Sequence, residues 1–177
     1  MSSQTIRTIA RLRTFRIPPR NGVAQGDEYG RAGHGIALCV SCGNIHYRKQ
    51  WLQPRSVSMR ELNRRGTPIT RTLCPACSLG ARGLYEGELL LENVPPLLEE
   101  EIGRLIRGFG RRAQAHNPQH RIIAIKRERR HWRVTTTENQ LAVKLAKKIQ
   151  DSFKRALLTI SHSREPYEVG RVRLMFS

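Results

Sequence analysis

Cys39-Val40-Ser41-Cys42-Gly43 and Cys74-Pro75-Ala76-Cys77 decide how this chain is read, because they hold all four of its cysteines at one repeated spacing. In a Cys-x-x-Cys knuckle both thiolates face one concavity, and the intervening amides point toward the sulfurs. Two knuckles set face to face make a tetrahedral sulfur cage suited to Zn2+. Gly43 suits the turn of the first knuckle, since glycine enters left-handed backbone conformations without a steric cost. Pro75 stiffens the second. The expected metal ligands are therefore Cys39, Cys42, Cys74 and Cys77, and four sulfurs leave no open position for catalysis. A pair of disulfides would instead require an oxidising compartment, and no apolar export signal is visible ahead of the first pair. A thioredoxin-like redox site would need only one knuckle, framed by a strand and a helix. The spacer between the pairs is long and basic. Its segments 52–56 and 64–68 read as a loop or short helix projecting from the metal core.

Upstream, residues 1–36 carry Arg7, Arg11, Arg13, Arg16, Arg20 and Arg31 against only Asp27 and Glu28. Pro18-Pro19 and five glycines interrupt any regular element there. Too little apolar surface is present to form a core, so a basic tail, disordered when free, is expected. Residues 37–87 form the zinc-ribbon module.

Downstream, residues 88–177 read as an α+β unit. A short strand is expected over 88–94, and Pro95-Pro96 opens a helix. Leu97, Leu98, Ile102, Leu105, Ile106 and Phe109 recur at helical spacing. Glu99, Glu100 and Glu101 near the helix start and Arg107, Arg111 and Arg112 near its end complement the macrodipole. Asn117-Pro118 ends it. Two strands, 121–127 and 131–137, flank a turn at Glu128-Arg129-Arg130. Thr137-Glu138-Asn139-Gln140 then matches a capping box, with Thr137 as N-cap and Gln140 three residues in. The following helix has Leu141, Ala142, Leu145, Ala146, Ile149 and Phe153 on one stripe. Strands 157–161 and 169–176, turning near Arg164-Glu165-Pro166, complete the unit. The expected fold class is thus α+β: a four-Cys zinc ribbon, then a small antiparallel sheet with two helices on one face.

Charge points to the partner. The 177 residues hold 32 Lys+Arg and 14 Asp+Glu, a net charge of +18, and 26 of the cations are arginine. Solubility of a small domain asks for roughly 2–8 units, so an acidic partner such as nucleic acid is expected. No run nears the roughly 18 apolar residues of a membrane helix. Residues 104–133 contain ten Lys+Arg and one acid, whereas 88–101 contain five acids and no Lys or Arg. Arg forks fit phosphate oxygens and stack on bases. The candidate RNA contacts are Arg7, Arg11, Arg13, Arg16 and Arg20 of the tail and Arg64 and Arg65 of the spacer. Arg111, Arg112, Arg129, Arg130, Trp132 and Arg133 of the dense cluster join them, with Lys144, Lys147 and Lys148 of the second helix. Trp132 has two readings, a stacking platform for a base or a core residue beside Val134. RNA is favoured over DNA because no helix-turn-helix, basic zipper or Cys/His finger spacing is present. The alternative is a zinc-containing DNA-binding transcriptional regulator.

No catalytic residue is assigned. His116-Asn117-Pro118-Gln119-His120 superficially suggests a metal-dependent nuclease, but both histidines lie in one loop after a helix. The chain is read as a non-enzyme without a small-molecule substrate or a membrane partner.

The Cys-x-x-Cys-Gly knuckle, the basic spacer, Cys74-Pro75-Ala76-Cys77 and Val134-Thr135-Thr136-Thr137-Glu138 followed by Leu141-Ala142 carry a resemblance over residues 37–177. The chain resembles small uncharacterised bacterial zinc-ribbon proteins. Through them it is similar to the zinc-bearing N-terminal region of the large ribosomal subunit export adaptor, the nonsense-mediated-decay number three family. The resemblance implies a cytoplasmic, Zn2+-bearing factor docked on ribosomal RNA. A chain of this kind is expected to act in subunit assembly or in holding idle ribosomes inactive (ribosome hibernation), and the second expectation rests on the basic tail, which is long enough to thread an rRNA channel. Only Cys39, Cys42, Cys74 and Cys77 are carried over. That family has more knuckles than the single pair here, so its export role is not transferred.

Overall fold

A computed structural model describes residues 36–58, 69–154, 156–163 and 169–177. The basic tail with Arg7, Arg11, Arg13, Arg16 and Arg20, the spacer residues Arg64 and Arg65, and the turn at 164–166 lie outside the described residues.

Two mixed sheets form. The first holds β1 (Ile36–Cys39), β2 (Ile45–Tyr47), β3 (Gln50–Leu52) and β4 (Ile69–Thr72), in the order β3-β2-β1-β4. β1 pairs antiparallel with β2 and parallel with β4, in a register that sets Cys39 opposite Thr72. Ile36, Ile45 and Val57 make its small core. Of the spacer segments expected as loop or short helix, 52–56 ends β3 at Leu52 and forms a 3-10 turn at Pro54–Ser56, and 64–68 lies outside the described residues. A short helix, α1 (Pro75–Ala81), which the sequence reading did not expect, is N-capped by Cys74 and carries the rest of the second knuckle.

The second sheet holds β5 (Gly87–Glu92), β6 (Ile122–Glu128), β7 (His131–Thr136), β8 (Ala156–Ser163) and β9 (Val169–Phe176), in the order β6-β7-β5-β9-β8. Its helices are α2 (Glu99–His116) and α3 (Asn139–Ser152). The expectation of an antiparallel sheet is corrected, because β5 pairs antiparallel with β7 but parallel with β9. The short strand after the metal module is the middle of the sheet. Its sequence explains the position: Leu89 and Leu91 are fully buried on one face, and Glu88 and Glu92 alternate onto the other. Each helix links two strands that are not neighbours, a split βαβ arrangement. Ile102, Ile106, Leu145 and Ile149 pack with Leu89, Leu91, Trp132, Val134, Val172 and Leu174 in one core. Both helices thus cover the same face, as expected.

Where α3 meets the sheet there is no room for a side chain on β5. A Cβ at Gly87 would lie 2.6 Å from the Glu138 carbonyl oxygen and 3.0 Å from Ala142 Cβ. The capping box does not form. Glu138 is the N-cap of α3 and no side chain caps it, because the Thr137 hydroxyl is engaged elsewhere. No described helix is long and apolar enough to cross a membrane.

Candidate metal centre

β1 delivers Cys39 at its last residue. Gly43 turns the chain with φ at +74°, and the Gly43 amide donates to the Cys39 carbonyl at 2.9 Å. The Cys39 amide donates to the Asn44 carbonyl at 2.8 Å, which closes the knuckle. The parallel register of β4 against β1 brings the second knuckle alongside. Cys74 is the N-cap of α1, Pro75 occupies the first helical turn where its missing N–H costs nothing, and Cys77 follows one turn on.

The four sulfurs converge within 4.8 Å of one another. Cys42 Sγ and Cys74 Sγ are 3.7 Å apart. A tetrahedral site with bonds of about 2.3 Å to sulfur spaces its sulfurs about 3.8 Å apart. All four cysteines are free thiols in the structure. The residues therefore fit a metal ion that takes four soft ligands.

Protein donors surround the sulfurs. The Cys74 amide donates to Cys39 Sγ at 3.2 Å. Burial raises the Cys39 thiol, but the backbone N–H groups of Cys74, Cys42 and Ser41 outweigh it and bring its pKa down to about 6. Cys74 is pushed up to about 12, chiefly by burial. Burial also raises Cys77. A metal ion reverses that cost by replacing the proton on each sulfur.

The guanidinium of Arg121 reaches the same sulfurs. Its Nη1 donates to Cys77 Sγ at 3.3 Å, and its Nη2 donates to Cys42 Sγ at 3.1 Å. Burial works against its charge, but the sulfurs of Cys42, Cys77 and Cys74 raise its pKa further. Arg121 sits in the loop between α2 and β6, and that loop is itself pinned. The Arg121 amide donates to Thr137 Oγ1 at 2.9 Å, and that hydroxyl donates to the Gln119 carbonyl at 2.7 Å. Gln119 Oε1 accepts from the Ala76 amide inside the second knuckle at 3.1 Å. Gln53 Nε2 caps two carbonyls at the end of α2, Gln114 at 3.0 Å and Ala115 at 3.2 Å. The metal module is thereby bolted to the α+β unit. Arg121 counted as one more cation in the sequence. No local signal marks it as a sulfur ligand's partner, because its contacts lie 44 and 79 residues away.

The other candidates divide. Arg111, Arg112, Arg129, Arg130, Lys144, Lys147 and Lys148 are exposed. Arg130 Nη2 donates to the Asn93 carbonyl at 3.5 Å. Arg133 is half-buried: it pairs with Glu88 and donates to the Tyr85 hydroxyl at 2.6 Å. Trp132 is 1% exposed, so of its two readings the core one holds. It offers no stacking face to a base, because α2 and α3 close over the sheet and Arg127 covers its ring with its guanidinium carbon 4.1 Å from the centroid. His116 is the exposed last residue of α2. His120 Nε2 lies 3.0 Å from Asn117 Nδ2 and 3.1 Å from Glu138 Oε2.

Comparison of the chain with protein-family models, with curated proteins and with solved structures finds no match.

Proposed function

We propose that this is a zinc-stabilised RNA-binding protein that works on the ribosome, in subunit assembly or in holding idle ribosomes inactive. Zn2+ would be held by Cys39, Cys42, Cys74 and Cys77, with Arg121 offsetting the charge of the thiolates. Four sulfurs complete its coordination, so the metal supplies folding energy and no reactive position. The single observation that supports RNA as partner is the excess of cations, +18, carried mostly by arginine. Arginine-rich surfaces bind phosphate backbones with an affinity that falls as salt rises. The experiment is a gradient profile of tagged protein from growing and from starved cells. Co-sedimentation with ribosomal particles, lost at high salt, is the expected result. Sedimentation as free protein at low salt would refute the ribosomal reading. Preference for a duplex DNA site over ribosomal RNA in direct competition would replace it with the DNA regulator.

A further inference from the structure

The described arginines differ in what they already hold. On the open face of the second sheet, the buried Glu88 pairs with Arg133 through Oε1 and with Arg171 through Oε2, the latter at 3.2 Å. Glu92 pairs with Arg173 at 3.2 Å. Arg121 holds the cysteine sulfurs. Those guanidinium groups carry their own counter-charges.

Arg107 and Arg127 do not. Among the described residues neither has a carboxylate within ion-pair distance or a hydrogen-bond acceptor for its side chain. Yet the two converge. Arg107 is on α2 and Arg127 is on β6, and both guanidinium groups reach the same spot over Gly103. Arg127 Nη2 stands 2.5 Å and Arg107 Nη1 3.2 Å from where a Cβ of Gly103 would be. Gly103 is buried although it lies on a helix flank, because these groups roof it. Arg127 is held there by its stacking on Trp132 at 4.1 Å, so its fork is oriented before any ligand arrives. Arg104 and Arg111 lie on the same side of α2, within one turn of Arg107. The Arg127 fork, oriented by Trp132, and the Arg107 fork beside it, neither paired with a described carboxylate, fill the space over Gly103 and present two sets of donors that suit one tetrahedral oxyanion.

We propose that Arg107 and Arg127, converging over Gly103, form a clamp for a backbone phosphate of RNA. The proposal rests on the RNA-binding reading above and names the residues that carry it out. It differs from a general basic surface in one respect: geometry matters as well as charge. Gly103→Ala tests that, because it removes no charge and raises helix propensity, yet its methyl group displaces the Arg127 fork.

The test measures binding of the zinc-loaded full chain to a short single-stranded RNA across a salt series. Arg107→Gln and Gly103→Ala are compared with wild type, and Lys154→Gln, an exposed cation in the turn after α3, serves as the charge-matched reference. The expected result is that Arg107→Gln weakens binding about tenfold at low salt and lowers the log–log salt slope by about 0.7, one single-strand phosphate contact. Gly103→Ala is expected to weaken binding severalfold at unchanged net charge and unchanged zinc content, and Lys154→Gln to do less than either. Arg127→Gln uncovers Trp132, so it is read only if its melting curve matches wild type. If wild type fails to bind RNA, the RNA-binding reading itself falls. If wild type binds while Gly103→Ala matches it and Arg107→Gln matches Lys154→Gln, the clamp alone is overturned.

Discussion

Arg121 Nη2 stands 3.1 Å from Cys42 Sγ across 79 residues of sequence. The contact ties the loop after α2 to the metal centre, so the state of the sulfurs and the seating of the two modules are coupled. Removing a partner of this kind costs 10–100-fold in metal affinity in comparable sites. Arg121→Gln is therefore expected to lose zinc to a chelator about tenfold more readily than wild type, with the secondary structure of the α+β unit retained. Chelator competition followed by a zinc-sensitive dye measures it.

Metal removal should act unevenly. Cys74→Ser is expected to release the ion and unfold β1 to β4 and α1, whose own cores are small, because metal binding there is folding energy. The α+β unit keeps its separate core. Hydrogen exchange is expected to show protection lost in β1 to β4 and α1 and kept in β5, β7 and α3. Loss of protection throughout would show that the metal module supports the whole chain.

Proton release sets the pH dependence of metal uptake. With its pKa at about 6, Cys39 is mostly thiolate at neutral pH, whereas Cys74 at about 12 and the raised Cys77 are protonated. Binding displaces those protons, so affinity is expected to rise with pH above neutrality. Below about pH 6 Cys39 takes up a proton too, and affinity should fall more steeply. Calorimetry in buffers of different ionisation enthalpy counts the protons released.

Thr137 serves the loop and not the helix start. Thr137→Val keeps the shape but leaves the Arg121 amide without its acceptor and the Gln119 carbonyl without its donor. A loss of about 1–3 kcal/mol in denaturant stability is expected. Thr137→Ser should restore most of it, since it restores the hydroxyl. A helix-capping role would instead predict frayed amides at the start of α3 with the metal affinity untouched.

Glu88 is 5% exposed and neutralises two arginines of the open sheet face. Glu88→Gln should destabilise by about 1–2 kcal/mol, less than the 3–5 of a fully buried pair, because both arginines keep contact with water. Thermal melting of the zinc-loaded protein tests it.

Much of this architecture is local in origin and could be read from the chain. The spacing of Cys39, Cys42, Cys74 and Cys77 announced one sulfur cluster, because a knuckle is built within four residues. The apolar stripes of α2 and α3 and the Asn117 helix stop were legible for the same reason, although Leu97, read as part of the first stripe, lies ahead of α2 and is 96% exposed. Other features were settled only when distant segments met. The parallel pairing of β5 with β9 joins residues some eighty positions apart, and nothing near Leu89 or Leu91 records that partner. Thr137 matched a capping box as written, but the returning loop claimed its hydroxyl first. The arginines show the division most plainly. The net charge of +18 is a property of composition. Whether a given guanidinium faces a sulfur as Arg121 does, a carboxylate as Arg133 does, or the same spot as a second guanidinium as Arg107 does depends on the neighbour that folding brings to it. Electrostatic interactions act through space over a few ångströms, and sequence distance does not enter them.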